Sequence, residues 1–154
     1  MEKRSKSDVI GEGVIAGLIG AAAVMVVYYV ADVRLAEPFS TPAALQALLF
    51  EGPEAVRNAT IGIPETVGFT ALHVAAWVAA GCIASLLVSA AEASRSSWAV
   101  VMVGLAAAFC AFIWATGAWR IDGFDSNHLW VGALLGSGAM AGYLAWKHPE
   151  VITR

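Results

Sequence analysis

Apolar residues fall in four long runs, at positions 13–31, 67–91, 98–119 and 129–146, separated by two short polar stretches and one longer connection. Each run approaches the ~20 residues with which a helix crosses the hydrocarbon core of a bilayer. The pattern predicts an all-α integral membrane four-helix bundle, with spans at about 9–31, 67–91, 98–119 and 128–146 forming a single transmembrane domain over 1–154. The outer loop, 32–66, contains a pattern of its own. Ser40-Thr41-Pro42 ahead of Ala43-Ala44-Leu45-Gln46-Ala47-Leu48-Leu49-Phe50 reads as an N-cap, a proline in the first turn and a short apolar helix, and Gly52-Pro53 stops it. Such a helix is too short to span and too apolar for water, so it is expected in the interface or against the top of the bundle.

Composition agrees with the pattern. Of 154 residues, 59% are hydrophobic and only 14% charged, against about 25% charged in ordinary soluble domains. No stretch is left for a separate soluble domain. A net charge of -3 with nine Lys and Arg excludes the clustered positive stripe that nucleic acid requires.

The opening Met-Glu-Lys-Arg-Ser-Lys imitates a secretory signal, but the following run lasts 19 residues and ends in Asp32-Val33-Arg34, which offers no small-x-small cleavage site. It reads as an uncleaved first span. Orientation follows from Lys and Arg near span ends. With the N-terminus in the cytoplasm the inner side collects Lys3, Arg4, Lys6, Arg95, Lys147 and Arg154, and the outer side only Arg34, Arg57 and Arg120. Both termini are therefore expected inside. Tyr28, Tyr29, Trp119 and Trp130 at outer ends, with Trp98 and Trp146 at inner ends, form the matching interfacial belts.

Small residues at helical spacing mark close packing, because lipid offers no hydrophobic drive for helices to associate. The pairs are Gly13 with Gly17, Ala16 with Gly20, Gly81 with Ser85 and Ser89, Gly132 with Gly136, and Gly138 with Gly142. The expectation is intramolecular packing of a tight bundle; the alternative is that one stripe faces a partner subunit. Cys82 and Cys110 lie inside spans, outside any CxxC pair and about 7 Å apart in depth at ~1.5 Å per residue. They read as small buried hydrophobes rather than a disulfide.

Candidate chemistry is sparse. No charge falls near a span midpoint, and Glu12 and Asp32, near opposite ends of the first span, are expected to reach headgroup water. Pairing of Glu12 with Arg95 or Lys147 is the alternative. His73 is the one titratable group well inside a span, and Trp77, four residues on, shares its face. A structural hydrogen bond to a neighbouring helix or loop is its expected role. Haem ligation or a quinone contact is the alternative, with His128 as a second axial ligand from the same leaflet. His128 can otherwise be satisfied by headgroup water, so His73 is expected to matter more. His148 stands at the opposite end. No HExxH, GxSxG or phosphate-binding loop occurs, so neither catalytic nor metal-ligating residues are expected, and the chain does not read as an enzyme.

The chain resembles a loose group of small, uncharacterised four-span bacterial membrane proteins. The similarity lies in a Gly/Ala-rich first span ending in Asp32, in Pro38-Phe39-Ser40-Thr41-Pro42-Ala43-Ala44-Leu45, in Leu72-His73-Val74-Ala75 and in His148-Pro149. It covers most of the chain and implies the architecture and a bacterial cytoplasmic-membrane setting, with no activity attached. The expected role is a non-catalytic accessory or structural subunit of a membrane complex, a respiratory one among the candidates. Its partners would be the lipid bilayer and another membrane protein or itself, and no cofactor is required. The alternatives are a small redox membrane protein holding haem or quinone through His73, and a homo-oligomeric channel or carrier for a small solute.

Overall fold

A computed structural model describes residues 5–94 and 127–152. The described chain is helical: α1 (Lys6–Arg34), α2 (Ser40–Phe50), a 3-10 turn (Pro53–Asn58), α3 (Ile63–Ser94), α4 (Asn127–Lys147) and the single turn α5 (Pro149–Ile152). Three helices, Lys6–Arg34, Ile63–Glu92 and Asn127–Lys147, are long and apolar enough to cross a membrane, which fits a multi-pass membrane protein. They coincide with the first, second and fourth expected spans. The expected third span, 98–119, lies outside the described residues, as do Cys110, Arg95 and most of the two connections flanking that span.

Local sequence accounts for the helix ends. Ser5 caps α1 by accepting from the Asp8 amide at 3.2 Å, and Asp8 places negative charge on the first turn. In α3 the hydroxyls of Thr66 and Thr70 donate to the carbonyls of Gly62 and Thr66, at 2.9 and 2.7 Å, so neither presents an unsatisfied group to an apolar surrounding. At the far end of α4 the His148 amide donates to the Leu144 carbonyl at 2.9 Å, and Pro149 opens the separate turn of α5.

Helix α1 is the centre of the structure. It packs along both α3 and α4, which touch one another only slightly. Both neighbours run antiparallel to it, since Gly13 and Gly17 meet Gly81–Cys82 and Trp77–Val78, while Gly20 and Tyr28 meet Gly136 and Gly132. The α1–α3 contact is backbone on backbone. A Cβ on Gly13 would fall on the Cys82 Cα, one on Gly17 on the Trp77 carbonyl, and one on Gly81 on the Gly13 carbonyl oxygen. At this approach Ser85 Oγ, fully buried, donates to the Val9 carbonyl at 2.8 Å. Cys82 is a free thiol.

Between α1 and α4 the glycines do something different. Gly20 and Gly136 form a notch for the Trp77 indole: a Cβ on Gly136 would stand 2.8 Å from the ring's Cη2, and one on Gly20 would strike the same ring. Gly132 makes room for Val24 and Tyr28. Gly138 and Gly142, by contrast, are exposed, and a Cβ on either would meet nothing within 4 Å. Their face of α4 carries Val131, Leu135 and Trp146, all exposed.

Helix α2 begins earlier than expected and is capped differently. Its N-cap position is Phe39, in the left-handed region at φ 69° and without a side-chain cap, so Ser40-Thr41-Pro42 lies inside α2. The corner before it also holds Ala36 at φ 59°. Thr41 to Ala44 and Ala47 are buried, chiefly against α3, the 3-10 turn and, to a lesser extent, α1. Gln46 Oε1 accepts from the Phe69 amide at 3.1 Å. Leu49 and Phe50 remain exposed. The helix ends as expected, at Gly52 with φ 97° and then Pro53.

The glycines make a discriminating test. Gly17→Ala should lower stability by about 1–3 kcal/mol, as overpacking against rigid backbone does. Gly138→Ala should be neutral or slightly stabilising, since Ala favours a helix by about 1 kcal/mol over Gly. Thermal unfolding of both variants in the same detergent checks the contrast.

Candidate functional site

At the end of α1 nearest α2, Asp32 is only 1% exposed, because a full set of donors surrounds it. Ser40 Oγ donates to Oδ1 at 3.1 Å and the Thr41 amide to Oδ2 at 3.0 Å. Thr41 Oγ1 donates to Oδ1 as well. Asp32 is thus the cap that α2 lacks at Phe39, reached from eight residues upstream of Ser40. The expectation that it sits in headgroup water is corrected: the chain doubles back after α1 and places the first turn of α2 on the carboxylate.

Thr41 carries this arrangement to α4, for its Oγ1 also lies 3.1 Å from His128 Nε2. A hydroxyl has one proton, and here Asp32 takes it. The imidazole must therefore be the donor in the second bond, which places a proton on Nε2. His128 accordingly has a protein partner, against the expectation that headgroup water alone would satisfy it.

The Tyr28 ring stands beside both candidate histidines. Its centroid is 6.0 Å from that of His128, edge-on at 90°, and 6.0 Å from that of His73. Phe69 and Trp77 complete the surround of His73, at 5.5 and 6.2 Å. The structure therefore brings His73 and Trp77 together as their spacing implied, and connects His128 to them through Tyr28. His73 Nε2 is buried and has no hydrogen-bond partner. The backbone of Ala21 is the polar group acting on the ring. The ring thus meets the backbone of a neighbouring helix, as expected, while Nε2 takes no part in that bond.

A second polar cluster closes the opposite end of the helices, and the sequence reading missed it. His148, 7% exposed, lies between two carboxylates. Its Nδ1 is 2.7 Å from Glu92 Oε1 and its Nε2 is 2.9 Å from Glu12 Oε2. Ionised carboxylates only accept, so with both acids ionised the ring must hold a proton on each nitrogen. One side chain following α4 thereby ties α1 to α3. Glu12 meets His148 rather than Lys147, whose ammonium lies 5.1 Å from the Trp146 ring centroid. The signal was available as depth: positions 12, 92 and 148 all fall at the same ends of their spans.

No protein-family model matches the chain, and no curated protein or solved structure matches it either.

The two clusters predict different mutational signatures. Asp32→Ala should cost about 3 kcal/mol, the scale for a buried ion losing its hydrogen bonds, and should free α2, seen as increased mobility of a spin label at Leu49. His148→Leu should destabilise comparably while leaving that label unchanged, because its bonds join α1 and α3 at the other end.

Proposed function

We propose that the protein is a non-catalytic accessory or structural subunit of a bacterial cytoplasmic-membrane complex. It would cross the bilayer four times with both termini in the cytoplasm, and α2 would lie in the outer interface. The observation that carries this reading is how the buried carboxylate and its neighbours are used. Asp32 holds α1 to α2, and through Thr41 to α4, and Glu12 and Glu92 clasp His148. These are groups that fix a shape. A carboxylate serving transport would instead face a water-filled path.

The exposed Gly138–Gly142 face of α4 gives the reading a place to be tested. Against acyl chains alone, glycine only weakens a helix; its benefit appears when another backbone comes close. A partner helix is the occupant that fits a subunit role. The six-to-three excess of Lys and Arg on the assigned inner side supports the orientation.

Affinity purification from native membranes in mild detergent should recover a reproducible membrane partner. Gly138→Leu should lose that partner without lowering the melting temperature. Recovery of the chain alone as a homo-oligomer would favour the channel or carrier reading, and a monomer would overturn the subunit reading. Reporter fusions check the topology: one after Arg154 should read cytoplasmic and one near Glu54 external.

A further inference from the structure

We propose that His73 anchors a binding site for a lipid-soluble molecule whose head is a single aromatic ring bearing hydroxyl or carbonyl oxygen, the chemistry of a quinol or quinone. This requires that the protein lie in a membrane but is independent of any partner subunit.

The first observation is the orphaned nitrogen. Buried polar atoms almost always find a partner, and leaving one without is unfavourable. Other polar groups of the described residues obey the rule: the hydroxyls of Thr41, Thr70 and Ser85 and the carboxylate of Asp32 are all hydrogen-bonded. Among the described residues only His73 Nε2 stands out. An oxygen-bearing ligand removes the deficit in either imidazole tautomer. A quinol hydroxyl donates to an unprotonated Nε2, and a quinone carbonyl accepts from a protonated one.

The second observation is the wall around that nitrogen. Phe69, Tyr28 and Trp77 surround the imidazole on three sides, and aromatic faces and edges suit a flat ring in offset or edge-on contact. The wall is fixed in advance. Trp77 sits in the notch of Gly20 and Gly136, and Tyr28 is packed on its other side by His128. Three rings so near the imidazole favour a head of one ring over a macrocycle, which needs a broad open face on the ligating nitrogen.

The third observation is access. His73 is partly exposed although its Nε2 is buried, and Leu72, Ala75 and Ala76 beside it on α3 are exposed. A molecule dissolved in the bilayer would therefore arrive sideways, between lipid and helix.

The test uses the full chain in lipid nanodiscs with ¹⁵N-labelled histidine, titrated with a decyl-chain benzoquinone, its quinol, and an alkylbenzene analogue carrying methyl groups in place of both oxygens. The expected result is a saturable shift of the His73 Nε2 resonance with quinone or quinol and none with the analogue. The stronger of the two binders names the tautomer. Tryptophan quenching by the same quinone should be saturable in the wild type and at least tenfold weaker in His73→Leu. His73→Gln, which keeps a polar group, serves if the leucine variant fails to fold. No shift at Nε2, equal shifts with the oxygen-free analogue, or quenching that grows linearly and equally in all variants would mean partition into lipid only and would overturn the proposal.

Discussion

The contact on which the described structure depends is the passage of α1 across α3 with no side chain between them. Gly13, Gly17 and Gly81 let two backbones meet, and in hydrocarbon it is this dispersion contact, rather than release of water, that rewards association. Much else follows from it. Ser85 can reach a carbonyl of the neighbouring helix only at that separation, and Trp77, four residues before Gly81, is carried into the groove where Gly20 and Gly136 receive it. The aromatic surround of His73 is thus a by-product of a glycine crossing one helical turn away.

Both ends of the helices are then fastened by ionisable groups without a described Lys or Arg among the donors. At one end Asp32 faces hydroxyls and an amide of α2. It lies at that helix's N-terminus, where the free N–H groups and the helix dipole favour negative charge. This compensates a corner that places two non-glycine residues, Ala36 and Phe39, in the left-handed region, each disfavoured by roughly 1–2 kcal/mol. At the other end an imidazole takes the position between two acids that a basic side chain would otherwise hold.

How much of this was legible beforehand depended on the range of the interaction. Helices α1, α3 and α4 were visible because a run of apolar residues is a local property, and the small-residue pair at 13/17 fell where two backbones approach, that at 132/136 where side chains of α1 and α3 need room. The capping of α2 was misread for a specific reason. Ser40-Thr41-Pro42 has the composition of a cap, yet the deciding partner is Asp32, brought back by the bend at Ala36 and Phe39, and no local rule contains that bend. His148 was assigned to the correct end but given no role, because its meaning arises from three helices meeting at one depth. For His73 the aromatic neighbour Trp77 was predictable from helical spacing, while Tyr28 and Phe69 complete the surround by different routes, the first across helices and the second one turn back along α3.

The central place of α1 bears on biosynthesis. Of the described helices long and apolar enough to cross a membrane it is the first in the chain, and it carries the surfaces that both others need. Helix α3 can dock on it as soon as the connection that holds α2 has been made, and α4 can dock later on the remaining side, since the two barely touch. Assembly can therefore follow the order of synthesis, as expected for chains that fold progressively from their N-termini. No early helix has to wait, unpaired, for a late one. His148, which follows α4, then closes around Glu12 and Glu92 as a latch that can be set only once all three helices have been made.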